Sequence, residues 1–439
     1  MRRWRGLKAL VHEAVDYTTE LVGEAHAAGA RRVLAVTDLV PPLAEPARAV
    51  ESARRFGTEL VLAQVRAVNH GVRVVTDAGL DLLEGPLEDP SPEAALPLRS
   101  DLTGTLRWVG DAALGTLNAA VGDHLHRRDN ALSLGMRLRR GDRFLPEEPA
   151  TLREALARAT PRVVLLVHGL GATEWSWCLH GERYHGDPTG NFGALLARDL
   201  GYTPLYARYN TGRHISENGR ALSEHLERAL DAWPVPVEEL VLLGHSMGGL
   251  VARSAIHHAE TTHARWRPLL RRVFCLGSPH QGAPLAKLGH LAAAVLSAVD
   301  TPGTLVPARI LQGRSAGLRD LRHGDLLDRH WLAHDADALF REARDEVPLA
   351  EDVRWHFLAA TVTLDPEHPA GLVLGDLLVR APSASGERLR RARFPVETRA
   401  FGRVLHHELQ NHPDVYAVVR DACAEATAPA AGSPGGSST

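Results

Sequence analysis

Gly244, Ser246 and Gly248 have the spacing of a nucleophile elbow. An apolar run at 240–243 that suits a buried strand precedes them, and a helix-like segment at 250–260 follows. Glycines on both sides of the serine permit a turn so tight that larger side chains would collide. Such a turn holds the Ser246 hydroxyl outward, where it can attack an electrophilic carbon.

A serine hydroxyl is a poor nucleophile near neutral pH and needs an imidazole base, which a carboxylate must orient. In folds that carry such an elbow, the acid and then the base follow the serine along the chain. By this order Asp376 and Asp365 both qualify as the acid, and the neighbours His406 and His407 both qualify as the base. Chain order alone leaves both choices open.

A second glycine-containing turn, His-Gly-Leu-Gly at 168–171, follows the apolar run 163–167. This turn can point the backbone N–H of Leu170 toward an acyl oxygen, and the N–H of Met247 would be the second donor of an oxyanion hole. We expect His168 itself to be a structural residue that makes hydrogen bonds.

From residue 162 onward, strand-like and helix-like patterns alternate along the chain. This alternation predicts a parallel sheet covered by helices, with the ligand site beyond the carboxyl ends of the strands. The predicted strands are 163–167, 203–209, 240–243, 273–276, 354–362 and 397–404, and the predicted covering helices include 192–200 and 220–233.

The first 150 residues carry a mostly helical pattern, with apolar positions at helical spacing over 7–28, 47–68 and 106–125. Arginines before the first helix would suit peripheral contact with an anionic membrane, although packing on the protein itself is preferred. The Pro-rich, acidic segment 85–97 is typical of a solvated connection. Three glycines in the third helix cost stability unless they allow close packing: Gly110, Gly115 and Gly122.

We therefore predict a mostly helical region at 1–150 and an α/β catalytic domain at 151–425. The domain carries a cap insertion at about 284–350. The insertion includes an apolar stretch at 285–299, which is either a mobile lid or an ordinary buried helix. The Ala, Pro, Gly and Ser composition of 426–439 predicts a disordered tail.

Composition excludes some classes of partner and location. A formal charge of -3 gives no whole-molecule field that would attract nucleic acid. No apolar run approaches the length of about 20 residues that spans a bilayer, and no secretory pattern is visible. Three cysteines, odd in number and far apart, indicate a reduced, cytoplasmic protein.

We expect neither a metal nor a cofactor. His407, Glu408 and His412 superficially resemble a zinc-protease helix, but the two histidines are five residues apart, whereas four are needed to share one helix face. No cysteine pair has zinc spacing, and no phosphate-binding loop follows the first strand.

Several segments together resemble the α/β-hydrolase superfamily, and specifically the bacterial lipases and esterases similar to GPI inositol-deacylases. The resemblance spans roughly 106–419 and implies an α/β-hydrolase fold. Besides the elbow, the segments that carry it are 168–170, 209–213, 277–282, 375–379 and 406–416.

The resemblance also implies roles for particular residues. The family's acid lies in a Gly-Asp-Gly-x-Val motif, which selects Asp376, although Leu377 replaces the second glycine. The family's base stands seven residues before a Pro-x-Val-Tyr, which selects His406. His280 corresponds to a histidine that shapes the loop beside the pocket. The candidates for lining the substrate pocket are His168, Gly169, Asn210 and His280.

The resulting hypothesis is a serine esterase or lipase that cleaves carboxylic esters of small molecules or lipids through Ser246, His406 and Asp376, with an acyl-enzyme intermediate. Two alternatives stay open. The same triad would serve an acyltransferase, and a catalytically inactive chain would be a lipid-binding or membrane-surface module.

Overall fold

The computed structural model of the 439-residue chain describes residues 94–102, 104–282, 315–332, 347–361 and 396–425, with isolated residues elsewhere. The chain divides into two compact units, one of residues 1–90 with 129–132 and one of residues 91–128 with 133–439. In the first unit, the described positions between 5 and 16 are helical, and the sequence predicts a helix from residue 7 onward. The rest of that helix and the predicted helix 47–68 lie outside the described residues.

The second unit contains an eight-stranded sheet with the order β2-β1-β4-β3-β5-β6-β7-β8. Strands β3 to β8 pair in parallel, whereas β1 is antiparallel to both β2 and β4. The strands are β1 (Arg137–Arg140), β2 (Arg143–Phe144), β3 (Arg162–Val167), β4 (Thr203–Arg208), β5 (Glu239–His245), β6 (Leu270–Leu276), β7 (Arg354–Thr361) and β8 (Val396–Gly402). All six predicted strands are confirmed, with ends that differ by a few residues.

Helices cover the sheet and connect its strands. They are α1 (Leu106–Arg127), α2 (Pro149–Leu156), α3 (Gly181–His185), α4 (Phe192–Leu200), α5 (Ile215–Asp231), α6 (Met247–Thr262), α7 (Ala316–His323), α8 (Asp328–Leu332) and α9 (Pro413–Ala424). The predicted bounds of α4 are confirmed, and both of its ends have residues typical of helix caps. Asn191 accepts a hydrogen bond from the Ala194 N–H at 3.1 Å, and Gly201 ends the helix with a φ of 70°.

The central strands are buried on both faces, which explains their continuous apolar sequences. In β3, Val163, Leu165 and Val167 pack in one core cluster, whereas Val164 and Leu166 pack in the cluster on the opposite face. All five side chains have no solvent exposure. The sheet is therefore the middle layer between two apolar cores.

The sheet begins earlier in the chain than the change of pattern at residue 162 indicates. Strands β1 and β2 precede the predicted domain start at 151, and the unit that contains them begins at Ser91. Their sequences, Arg-Leu-Arg-Arg and Arg-Phe, lack the apolar run of a buried strand. Arg139 is nevertheless fully buried because Glu174 accepts its N–H at 2.9 Å. The periodicity of apolar residues does not reveal such a strand, because one of its buried side chains is an ion-paired arginine.

Two of the three glycines in α1 are sites of close packing. A Cβ at Gly115 would lie 2.8 Å from the carbonyl oxygen of Gly171, and a Cβ at Gly122 would overlap the side-chain oxygen of Asn210. A Cβ at Gly110 would have no neighbouring atom within 4 Å. Helix α1 therefore packs closely on the turns that follow β3 and β4, which are the turns predicted to form the site.

Several predictions fall outside the described residues: the apolar stretch 285–299, most of the cap insertion and the tail 426–439. Of the insertion, the structure describes α7, α8 and residues 347–350. Within the described part of the chain, none of the helices combines the length and the apolar character needed to span a bilayer.

The three cysteines are buried and unpaired with one another, and burial raises the pKa of the Cys275 and Cys423 thiols to about 12.

Candidate active site

Ser246 lies between the end of β5 and the start of α6, with a φ of 54° and a ψ of -122°. A non-glycine residue rarely adopts this backbone conformation, and such strain is concentrated at functional sites. The turn around it leaves no room for side chains. A Cβ at Gly244 would lie 2.5 Å from the Gly249 nitrogen, and a Cβ at Gly248 would overlap the Val167 carbonyl oxygen. The glycines are required for the reason the elbow motif predicts.

The turn after β3 lies directly against the serine. A Cβ at Gly169 would be 3.0 Å from the Cβ of Ser246. Gly171 has a φ of 71°, and its N–H donates to the hydroxyl of Thr211 at 3.2 Å, which holds the turn in place. The structure therefore brings together the two glycine-containing turns that the sequence singles out.

Two backbone N–H groups are available at this point. Met247 is the first residue of α6, where an N–H has no partner within the helix and the helix dipole is positive. Within the described part of the chain, neither the Leu170 N–H nor the Met247 N–H donates a hydrogen bond. Both residues are buried, so water competes weakly for these donors. Their use as an oxyanion hole stays a prediction, and the geometry is consistent with it.

His406 packs on the same end of the sheet. It begins a 3-10 turn, His406–Gln410, and its side chain is buried. A Cβ at Gly277, which has a φ of 61°, would lie 3.1 to 3.2 Å from the His406 ring. Gly277 directly follows Leu276, whose carbonyl accepts the Ser246 N–H at 2.8 Å. The His406 ring therefore lies beside Gly277, the residue that follows the end of β6, and the last residue of β6 accepts the Ser246 N–H.

His245 is a site residue that the sequence reasoning missed. Its Nε2 lies 2.9 Å from the carbonyl oxygen of His406, and because a carbonyl can only accept, Nε2 must carry the proton. The two rings are 4.9 Å apart between centroids. His245 thus anchors the backbone of the candidate base to the residue beside the candidate nucleophile. The elbow motif does not specify the residue at position 245, and the partner His406 is distant in sequence. The sequence therefore did not indicate this contact.

The two rival bases have different surroundings. His407 is exposed and its ring packs beside His180, with 5.5 Å between centroids, whereas the His406 ring is buried at the elbow. Asp376 and its rival Asp365 both lie outside the described residues. Val379, at the end of the segment that resembles the family's acid motif, is buried and packs with Ala359 of β7.

The pocket candidates other than Gly169 have structural contacts. His168 is fully buried, its Nδ1 lies 2.9 Å from the Gly169 oxygen, and its ring stacks on Tyr209. The Asn210 amide donates to the Gly122 oxygen at 2.8 Å. The His280 Nδ1 lies 3.2 Å from a nitrogen of the Arg253 guanidinium. These contacts agree with structural roles for both histidines, and contact with substrate stays a prediction for all four candidates.

Burial keeps these two histidines neutral. Desolvation lowers the pKa of His168 from 6.5 to about 4. Desolvation and then the positive charge of Arg253 hold the pKa of His280 well below its usual value. Neither side chain is therefore suited to gain and lose a proton near neutral pH, which leaves the work of a general base to another residue.

Within the described part of the chain, a metal could be held by His180, His407 and Glu408, whose ligand atoms lie within 4.8 Å of one another. This group differs from the zinc-helix spacing that the sequence excluded, because it includes His180 and omits His412.

An eight-stranded, mostly parallel sheet with helices on both faces and a strained serine between β5 and α6 defines the α/β-hydrolase fold. The fold class predicted from the sequence is confirmed.

Residues 159–295 match the sequence model of the PGAP1-like alpha/beta domain family. No match was found among curated proteins. Solved structures similar to this chain include the mature form of a Bacillus licheniformis lipase, with 19% identity, 60% of this chain and 92% of that chain covered, and a TM-score of 0.38. A lipase-esterase related protein from Clostridium acetobutylicum has 12% identity, coverage of 60% and 94%, and a TM-score of 0.34. A thioesterase of prodiginine biosynthesis from Streptomyces coelicolor has 17% identity, coverage of 61% and 91%, and a TM-score of 0.35.

Proposed function

We propose that this protein is a serine hydrolase that cleaves carboxylic esters. The observation that carries the proposal is the strained backbone of Ser246 at the end of β5, with the His406 ring packed on the adjoining strand end. A serine with only a structural role does not require a strained backbone between two glycines that have no room for a side chain. A nucleophilic serine does require such a turn, because the turn exposes its hydroxyl to substrate.

In the proposed reaction, the Ser246 hydroxyl attacks the ester carbonyl while His406 takes its proton. Asp376 orients the imidazole and stabilises its protonated form. The N–H groups of Leu170 and Met247 stabilise the oxyanion, and collapse of this intermediate releases the alcohol with the proton returned by His406. Water then attacks the acyl-enzyme by the same route and releases the acid.

The position of the proposed oxyanion donors supports Ser246 as the nucleophile. Both lie next to the serine, one in the turn that Gly169 packs against Ser246 and one at the first residue of α6. The positive end of a helix of 16 residues then faces the place where negative charge develops. Donors held in place before the reaction need no reorganisation during it, which is the source of their effect on rate.

Labelling with a fluorophosphonate probe tests the nucleophile. We expect the wild-type protein and the control Ser278→Ala to be labelled, and Ser246→Ala to be unlabelled. Ser278 is a suitable control because it is also a buried serine beyond a strand end on this side of the sheet. Absence of labelling in folded wild-type protein would favour the non-catalytic binding module, and labelling of folded Ser246→Ala would assign the nucleophile elsewhere.

Product analysis separates a hydrolase from an acyltransferase with the same triad. Esters of p-nitrophenol with graded acyl chains give the preferred acyl length, and an added alcohol competes with water for the acyl-enzyme. We expect free acid as the main product. Transfer to the alcohol as the main product would establish the transferase instead, while leaving the triad assignment intact.

A further inference from the structure

A group of possible metal ligands lies beside the turn that carries His406. Nitrogen or oxygen ligand atoms of His180, His407 and Glu408 all lie within 4.8 Å of one another. His407 and Glu408 are consecutive in the 3-10 turn, whereas His180 comes from a distant segment that ends at α3. The fold has therefore brought together three side chains that the sequence does not group.

The set of donors suits zinc. Two imidazole nitrogens and one carboxylate oxygen are common zinc ligands, with bonds of about 2.0 to 2.2 Å, and a water molecule completes the tetrahedron. Ligand atoms around such an ion are about 3.3 Å apart, so closure requires movements of about 1 Å. His407 is the exposed one of the three residues, so its side chain is the one expected to move on binding. Magnesium and calcium prefer oxygen ligands and fit this set poorly.

Neighbouring groups already orient the Glu408 carboxylate. Glu408 accepts the Tyr184 hydroxyl at 2.7 Å and the Leu405 N–H at 2.9 Å. Fixed outer contacts of this kind strengthen metal binding.

The backbone at His180 is also unusual. Its φ is 61° and its ψ is 14°, in the left-handed region where glycine or asparagine is less costly. A histidine at this position places an imidazole at the turn before α3, facing the His407 ring at 5.5 Å. The conformation by itself does not indicate a ligand, but it holds the donor in place for the other two.

We propose that His180, His407 and Glu408 bind one zinc ion, with solvent as the remaining ligand. The ion would join the 3-10 turn that begins with His406 to the segment that precedes α3. It would thereby restrain the turn that carries the candidate base. The site does not depend on the proposed hydrolase function, since its three ligands are separate from Ser246, His406 and Asp376.

Zinc titration of the full chain, without a polyhistidine tag and after removal of metals by a chelator, tests the site. We expect one zinc per chain and no response to magnesium. His180→Asn, His407→Ala and Glu408→Gln should each weaken zinc binding at least about tenfold. Asparagine tolerates the left-handed backbone at 180, and glutamine retains the hydrogen-bonding shape at 408.

The control His263→Asn removes an exposed histidine with a similar left-handed backbone, so it should bind zinc as the wild type does. Ser246→Ala should also bind normally, which separates this result from any loss of hydrolysis. Zinc should raise the melting temperature of the wild type but not of the three ligand variants. Wild-type binding no tighter than that of His180→Asn and His407→Ala, in variants with wild-type circular dichroism, would overturn the proposal.

Discussion

Two buried regions, the elbow and the β1–β4 pair near one edge of the sheet, are held together by different forces. At the elbow, every residue of β5 is buried, and the turn depends on the absence of side chains at Gly244 and Gly248. At the edge, β1 and β4 bury arginines whose charges are balanced by acids from other elements. One region is held by apolar packing and backbone geometry, and the other by ion pairs.

The ion pairs at the edge form a continuous network. Glu174 accepts hydrogen bonds from Arg139 at 2.9 Å and from Arg208 at 2.6 Å. Arg208 also pairs with Asp111 of α1 at 2.9 Å, and Asp111 accepts the Thr173 hydroxyl at 2.6 Å. Although burial opposes ionisation of Glu174, the two guanidiniums lower its pKa to about 2. The network links α1, β1, β4 and the loop after β3.

The comparison shows where function and stability are separable. A buried ion network is costly to disrupt at one member, because the remaining charges lose their partners. Its residues pair with one another, so damage there should lower the stability of the fold more than the rate of the reaction. Damage at the elbow side should have the opposite effect.

The largest effect is expected at the carboxylate of the proposed triad. Asp376→Asn should lower kcat by about 10⁴-fold, because the imidazole loses the partner that fixes its tautomer. Asp365→Asn should leave kcat almost unchanged. Initial rates with a p-nitrophenyl ester and melting temperatures of both variants measure activity and folding separately. Equal activities of the two variants would refute the assignment of Asp376.

At the edge, Glu174→Ala should lower the free energy of unfolding by about 3 to 5 kcal/mol, since two buried guanidiniums lose their partner. Activity per folded molecule should fall far less than in Asp376→Asn. The exposed Glu154 offers a control, and Glu154→Ala should change stability by less than about 0.5 kcal/mol. Urea unfolding followed by tryptophan fluorescence gives both values. A similar small loss in both variants would show that the network contributes little.

Acidification tests the buried histidine beside the elbow. An unfolded chain protonates His168 near pH 6.5, but the folded chain does so only near pH 4, so the unfolded state binds more protons in this window. Stability should therefore fall as the pH falls, by roughly 2 kcal/mol from this residue between neutral pH and pH 5. Glu174 should not contribute there, because its stabilisation is lost only as the pH falls below about 4.5.

His168→Asn retains a donor for the Gly169 oxygen but cannot titrate. Although the variant loses packing on Tyr209, its stability should fall less between pH 7 and 5 than that of the wild type. Melting temperatures at several pH values measure the two slopes. Parallel slopes would mean that His168 takes up no additional proton on unfolding.

The smallest effects concern the glycines of α1. Gly115→Ala should destabilise by about 1 to 3 kcal/mol and lower kcat, because its Cβ would press on Gly171 in the turn that carries Leu170. Gly110→Ala should instead stabilise by up to about 1 kcal/mol, since open space surrounds it and alanine favours a helix. Unfolding and ester hydrolysis measured on both variants separate packing from helix propensity. Stabilisation by Gly115→Ala would contradict the close approach of α1 to this turn.

The sequence alone predicts much of the fold and singles out candidate residues for the site. Strands β3 to β8 and helices α4, α5 and α6 have patterns of their own, because each buries apolar residues at a fixed period. The elbow and the turn at 168–171 are recognisable because glycine and serine spacing expresses a local backbone requirement. The choice of Asp376 came from a motif whose surroundings lie outside the described residues.

Features that depend on partners distant in the chain became apparent only in the folded protein. Strand β1 is arginine-rich, and its burial is explained only by the ion pair between Arg139 and Glu174. His245 and His180 gained their importance from neighbours near residue 406. Two equivalent glycines of α1 differ solely in what packs against them. Local periodicity carries no information about such contacts, because the charge, ring or carbonyl that completes each one belongs to another element.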